Sequence, residues 1–502
     1  MTVDNTLTPC RILEWALSHH SGKIAVVEGY RRLTYAQFGE RVFRLAGALR
    51  KSNVCVGDRV AYLGYNSVAL LDLYLAVPRI GAVLVPLNFR LGRSDLDYIL
   101  GDCSPSVIVC DHGLLGLVAG LTGGMKVVVL DGTDGDYESW IGESHPLVSR
   151  EPVPESSPCE LFYTSGTTAR PKGVELSHRA LYLHSLNARV GLDYIDGDVQ
   201  LHTIPLFHVN GWGTPQILPL IGGTQVLIDK FEPALVASLL LDEKITVMFL
   251  VPTMLISLLE YFGPDRRPSP FLRHVFVGGA AMSEALANRA SDVLGCAIRA
   301  GYGMTETGPV LTAGEVSPQP ARMTRAGRAI PGVDLIVADA NYRPVARDDA
   351  TVGEILVRSD HALTRYSNAS MGDLVKDGWI HTGDLATWDE TGSVRIVDRA
   401  KDMIISGGEN ISSVEVEAAL TAHPDIFEVA VVGCPDKKWG EIVVAFLVLR
   451  SETTLPADLL DEFLCSRIAP FKRPRAYHFV SELPKGGTGK VQKKLLRDQL
   501  AV

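Results

Sequence analysis

The chain has 502 residues, too many for one hydrophobic core, so two or more domains are expected. Apolar residues make up 46% and charged residues 21%, the balance of an ordinary globular protein. The net charge of −10 excludes nucleic acid or an anionic membrane as the main partner, since both need a basic footprint.

Eight cysteines without a CxxC pair read as buried thiols in a reducing cytoplasm. The first twenty residues lack a charged-then-apolar leader pattern. The most apolar stretch, 245–259, is interrupted by Pro252 and is too short to span a bilayer. No integral membrane segment is expected, and a cytoplasmic location follows.

In chain order, β-rich apolar runs at 24–27, 59–63, 83–86, 107–110 and 126–130 alternate with helical patterns at 35–51 and 68–80. Such alternation predicts α/β layers with mostly parallel sheets. The pattern resumes from 160 to about 311. From 325 to 397 the helices thin out. Short strands such as 334–337 and 353–357 lie between Gly, Pro and Asp turns, which predicts a small β-barrel-like subdomain. The charged segment Arg399-Ala400-Lys401-Asp402 follows a strand-like run at 393–397. It divides an N-terminal domain, 1–398, from a small α+β domain, 403–502, with 399–402 as the hinge. The second part has helix–strand–strand–helix order, with strands at 427–432 and 442–448. Ser412 with Glu415 is a capping-box signal.

A strand end at Leu161-Phe162-Tyr163 runs into Thr164-Ser165-Gly166-Thr167-Thr168-Ala169-Arg170-Pro171-Lys172-Gly173. Hydroxyls and backbone N–H groups there suit a polyphosphate, with Lys172 supplying charge; a solvated Ser/Thr turn fits the segment alone equally well. The spacing is not that of a Walker A loop. Gly301-Tyr302-Gly303 is followed by Met304, Thr305 and Glu306, without the third glycine of a dinucleotide fingerprint.

The hydroxyl-rich segment resembles the phosphate loop of the acyl-adenylate-forming superfamily, which includes acyl-CoA synthetases, peptide-synthetase adenylation domains and beetle-type luciferases. Ala169 stands where the family usually has Gly. The resemblance extends in family order to Gly278-Gly279-Ala280-Ala281, to Gly301-Tyr302-Gly303-Met304-Thr305-Glu306-Thr307, to His381-Thr382-Gly383-Asp384 and to Lys485-Gly486-Gly487-Thr488-Gly489-Lys490. It covers essentially the whole chain. It implies a large N-terminal domain of two α/β layered subdomains with the small β subdomain, and a mobile C-terminal domain swinging at Lys401.

The resemblance also implies the following roles. Thr164, Ser165, Gly166, Thr167, Thr168 and Lys172 hold phosphates. Gly279, Ala280, Gly303 and Met304 line the nucleotide, and Tyr302 stacks on adenine. Thr305 bonds the α-phosphate, Glu306 ligates Mg, Asp384 binds the ribose hydroxyls, and Arg399 lies near ribose and phosphates. Lys490 orients the carboxylate for adenylation, offsetting charge repulsion. Rotation of the C-terminal domain then brings Gly407 and Gly408 to the acyl site. Trp439, Phe471, Arg473 and Arg475 match positions used for the CoA nucleotide. The plain alternatives are a strand end at 301–303, an exposed turn aspartate at 384, a surface lysine at 490, and a basic helix end with a buried Trp and Phe at 439–475.

The acyl pocket is expected at His208, Val209, Gly211, Trp212, Gly278, Gly301 and Val310: His208 stands where the family places an aromatic or His beside the carboxylate, and Trp212 resembles the gating tryptophan of some fatty-acyl-CoA synthetases, with a core Trp at a helix start as the plain alternative. No Lys or Arg lies among these residues, so an apolar monocarboxylic acid is expected, a short or medium fatty acid ahead of an aryl acid. The expected reaction joins an acid to coenzyme A through an acyl-adenylate, using ATP and Mg. A stand-alone enzyme charging a carrier-protein thiol, an inactive scaffold of the same fold, and a luciferase-like oxygenase are the alternatives. A homodimer is left open.

Overall fold

The computed structural model describes residues 5–121, 123–131, 135–164, 170–208, 211–263, 269–450, 455–486 and 491–500. Two sheets dominate the first three hundred residues. The seven-stranded sheet runs in the order Arg365–Tyr366, Lys172–Ser177, Pro158–Thr164, Val83–Leu87, Arg59–Leu63, Val107–Asp111, Lys126–Leu130. Its interior pairs are parallel, while Lys172–Ser177 turns back antiparallel on Pro158–Thr164. The nine-stranded sheet has Ala297–Tyr302, His274–Val277, Val247–Leu250, Val199–His202, Thr224–Leu227 and Ile24–Glu28 as successive parallel neighbours.

Helix Tyr35–Lys51 starts at a full capping box, Thr34 with Gln37. Every residue of helix Val68–Arg79 is buried. It belongs to an apolar cluster containing Val26 of one sheet and Val60 and Leu84 of the other, so it has no solvated face and its pattern reads as apolar all round. Its polar Asp72 is neutralised by Arg41 at 2.7 Å.

Beyond the nine-stranded sheet, Val333–Ala338, Gly353–Ser359, Trp379–Trp388, Val375–Lys376 and Val394–Arg399 form a five-stranded antiparallel sheet. A fourth sheet holds Glu409–Ile411, Ile404–Ser406, Gly440–Leu449, Ile426–Asp436 and Ala476–Phe479. The opening hairpin and the strand Ala476–Phe479 were not expected from sequence, being only three or four residues long. This sheet packs on an apolar cluster of its own, including Ile404, Val431, Val443 and Leu464.

Of the eight thiols, Cys10, Cys103, Cys110 and Cys159 are buried, but Cys55 and Cys465 are exposed, which corrects the expectation that all are buried. No helix among the described residues is long and apolar enough to cross a membrane.

Candidate active site

The site draws on strands of three sheets. Strand Ala297–Tyr302 delivers Tyr302, whose hydroxyl donates to Asp384 Oδ2 at 2.6 Å. Asp384 is almost fully buried on strand Trp379–Trp388. Its other oxygen meets Arg399 Nε at 3.0 Å, because Arg399 is its register partner on the next strand. Burial and the neighbouring Asp384 carboxylate push the Tyr302 hydroxyl well above its ordinary pKa, so it stays a donor. At Gly303 a Cβ would lie 2.3 Å from the Pro309 carbonyl oxygen; only glycine permits that approach.

Thr305–Thr307 form one 3-10 turn with Thr305 buried. Glu306 is half-buried, and its Oε1 accepts from Tyr366 at 3.1 Å. Lys172 Nζ stands 5.1 Å from the centre of the same Tyr366 ring, so Tyr366 links Lys172 to Glu306. Asn368 braces the chain on either side of Lys172, accepting from Gly173 N–H at 3.1 Å and donating to the Pro171 carbonyl at 3.2 Å. Neither Tyr366 nor Asn368 was foreseen. Arg365–Tyr366 is a two-residue strand, too short to carry a period.

A narrow cavity opens beside Tyr302. It is lined by Leu192, Ile204, Trp212, Phe249, Phe276 and Val277, with Thr214 and Pro309, and also by Gly278, Gly301, Tyr302, Gly303 and Val310. Four expected acyl-pocket residues, Trp212, Gly278, Gly301 and Val310, thus share one space with Tyr302 and Gly303 of the nucleotide signature. Gly279, at φ +83°, turns the chain just after strand His274–Val277, and Ala280 beside it is exposed. His208 and Gly211 are not among the lining residues. The His208 carbonyl accepts the N–H groups of Gly211 and Trp212. A Cβ at Gly211 would lie 2.8 Å from two carbonyl oxygens, so this glycine serves backbone packing.

In the C-terminal part, Gly407 and Gly408 have φ of +62° and +87°. Gly407 N–H donates to the Trp439 carbonyl at 2.7 Å. The Arg475 guanidinium lies 4.8 Å from the centre of the Trp439 ring, while Arg473 Nη1 turns to Cys465 Sγ at 2.9 Å and Phe471 is exposed. Lys401 is exposed; Arg497 pairs with the adjacent Asp402. The buried Asp398 accepts the backbone N–H of Ser413 at 2.6 Å and its hydroxyl at 2.8 Å. Thr164 ends strand Pro158–Thr164, but Ser165, Gly166, Thr167, Thr168, Ala169, Val209 and Lys490 lie outside the described residues.

A buried two-oxygen acceptor, a phenol beside it and glycines that admit a close backbone abut an apolar cavity. The AMP-binding enzyme family model matches residues 13–367 and that of the AMP-binding enzyme C-terminal domain matches 415–490. The chain belongs to this family, the acyl-adenylate-forming superfamily that its motifs resemble, and is of the acyl-CoA synthetase type. It is 39% identical to a long-chain-fatty-acid–CoA ligase of Thermus thermophilus, over 96% of this chain and 91% of that protein. It is 37% identical to a feruloyl-CoA synthase of an Amycolatopsis species, over 94% and 95%. ATP-bound MatB from Rhodopseudomonas palustris superposes with a TM-score of 0.89 at 29% identity, over 98% of each chain.

Proposed function

We propose that this enzyme converts an apolar monocarboxylic acid, aliphatic or aromatic, to its CoA thioester through an acyl-adenylate, releasing AMP and pyrophosphate. The observation that carries the reading is the shared cavity: residues of the nucleotide signature form one end of an apolar slot. Among its described lining residues none is charged, so a second carboxylate would find no partner there. Arg299 stands 4.8 Å from the Phe276 ring centre, but its guanidinium is committed to the carbonyls of Gly314, Leu192 and Gly191.

The residues fit ATP. Asp384 offers two oxygens to ribose hydroxyls; Tyr302 and Arg399 hold it meanwhile. Tyr302 stands where the family stacks a ring on adenine. Thr305 and Lys172 would bond the phosphates, as the family resemblance implies. Glu306 is the hard oxygen ligand suited to Mg, and its hydrogen-bond partner is a neutral phenol. Bound Mg would supply positive charge between phosphate oxygens.

In the first half-reaction the acid's carboxylate oxygen attacks the α-phosphorus and pyrophosphate leaves. No general base is needed, since a carboxylate is ionised at neutral pH. Positioning and charge neutralisation supply the rate, with Lys490 aligning the nucleophile. In the second, the CoA sulfur attacks the acyl carbon, its proton is lost and AMP leaves. The hairpin Ile404–Ser406 and Glu409–Ile411 carries an exposed Ile405. Swinging the 403–502 domain about Lys401 would present that hairpin, with Gly407 and Gly408, to the acyl site. Trp439 under Arg475 then holds the CoA nucleotide. A CoA-dependent AMP-release screen over fatty, aryl and dicarboxylic acids tests the reading. Turnover of apolar monoacids is the expected result. Turnover only with a carrier protein in place of CoA would replace it with the carrier-charging alternative.

A further inference from the structure

Behind the cavity wall lies a group the reaction does not use. Glu160 is completely buried on strand Pro158–Thr164, four residues before Thr164. A buried carboxylate needs a cation or several donors to remain charged. No cation among the described residues touches Glu160. Its neighbours are the Gln216 amide, which donates from Nε2 to Glu160 Oε1 at 3.4 Å, and the Trp212 indole. Burial pushes the carboxyl well above the usual carboxylate range, against the opposing donation of Trp212 and Gln216.

Three buried polar atoms here lack partners in good geometry: Glu160 Oε2, Gln216 Oε1 and Trp212 Nε1. An ionised Glu160 leaves two acceptors, Glu160 Oε2 and Gln216 Oε1, competing for one donor. A protonated Glu160 resolves all three. Its Oε2–H would donate to Gln216 Oε1 while Gln216 Nε2–H donates to Glu160 Oε1, closing an acid–amide pair. A remaining carboxyl lone pair then accepts Trp212 Nε1–H. Trp212 is 1% exposed. Its ring packs on Phe162 at 4.5 Å and lies parallel to His184 at 6.2 Å, and Trp212 lines the cavity beside Tyr302. Packing fixes the plane of the indole; a bond from Trp212 Nε1–H to the Glu160 carboxyl would fix its position within that plane.

We propose that Glu160, as a carboxylic acid paired with Gln216, is a positioning residue that pins the Trp212 indole and thereby sets the largest acid the cavity accepts. The inference rests on the acid–CoA ligase reading. The closing experiment separates the two. If the parent enzyme turns over no acid in the AMP-release assay, the ligase reading fails before any variant is made.

The test compares the parent with Glu160→Leu, Trp212→Phe, the double variant and Glu160→Gln. The readout is kcat and KM for straight-chain acids of rising length and for benzoic and naphthoic acids, with KM for ATP alongside. Glu160→Leu and Trp212→Phe should each raise the kcat/KM ratio of bulky over small acids by roughly 10-fold. The change should lie in KM for the acid, with KM for ATP unmoved. The double variant should shift the ratio no further than either single, because both remove one contact. Glu160→Gln, which can rebuild an amide–amide pair, should keep the parent ratio within about twofold. An unchanged ratio in both single variants, multiplying shifts in the double, or a Glu160→Gln profile matching Glu160→Leu would each overturn the proposal. If Glu160→Leu does not fold, Gln216→Leu replaces it: a profile matching Trp212→Phe supports the tether, and the parent profile overturns it.

Discussion

Tyr302 and Asp384, 82 positions apart, are joined by a 2.6 Å hydrogen bond that ties the nine-stranded sheet to the small antiparallel one at the point where the nucleotide would sit. The phenol satisfies one oxygen of a buried carboxylate and Arg399 the other, so the acceptor is oriented before any ribose arrives. Removing the hydroxyl in Tyr302→Phe should cost about 1.5–3 kcal/mol of orientation, as for a hydrogen bond to a charged group. KM for ATP should rise roughly 10-fold or more, with KM for the acid less affected. Initial rates at varied ATP check this. Equal effects on both substrates would mean that the bond is only structural.

Lys490→Ala should abolish ATP–pyrophosphate exchange yet leave thioester formation from supplied acyl-adenylate largely intact, because the charge is needed only where carboxylate meets phosphate. Loss of both half-reactions to the same degree would remove the assignment of Lys490 to the first step.

Trp439→Ala deletes the ring beneath Arg475 and the wall against which Gly407 sits. KM for CoA should rise roughly 10-fold, while ATP–pyrophosphate exchange stays at the parent rate. A fall in exchange would show that the change acts on the first half-reaction and not on thiol capture.

Glu306→Gln keeps the hydrogen bond from Tyr366 but removes the anionic oxygen. The Mg concentration for half-maximal activity should rise about 10-fold or more, and chelation should stop the parent enzyme. An unaltered Mg titration would move the metal ligand elsewhere.

His202 supplies a pH dependence of stability. Its Nε2 lies 3.2 Å from Gln225 Oε1 and its Nδ1 3.3 Å from Gln200 Nε2, contacts that suit a neutral ring protonated at Nε2. Burial lowers its pKa to about 4 from an ordinary 6.5. The unfolded chain therefore binds more protons between those values, and His202 costs stability as pH falls from about 6.5 to 4, by up to about 3 kcal/mol. Relative to His202→Asn, the parent's Tm should be highest above pH 6.5 and drop progressively below it. Parallel Tm curves for the two proteins would refute the assignment.

Much of this site is legible in the chain itself. Segments such as Gly301–Glu306 and Thr382–Asp384 bring their chemistry in consecutive residues, and backbone covalency keeps neighbours together whatever the fold does. Period likewise locates Tyr35–Lys51 and Arg59–Leu63, whose observed limits coincide with those expected. A strand of two residues carries no usable period, so Arg365–Tyr366, and with it Tyr366 and Asn368 beside Lys172, escapes the sequence. Lys172 reads as the close of a loop but starts a strand, because the antiparallel return on Pro158–Thr164 is a pairing choice made between distant segments.

The sequence by itself determined the class of chemistry, since a nucleotide site needs particular groups and this chain spells them in short words. Only the tertiary structure decided which groups meet. Asp384 finds Tyr302, Glu306 finds Tyr366, and Glu160 sits behind Trp212 with no cation against it among the described residues. Burial and pairing are properties of the packed chain: a carboxylate's charge, its partner and its cost depend on what surrounds it in space, and that is fixed only when the sheets close on one another.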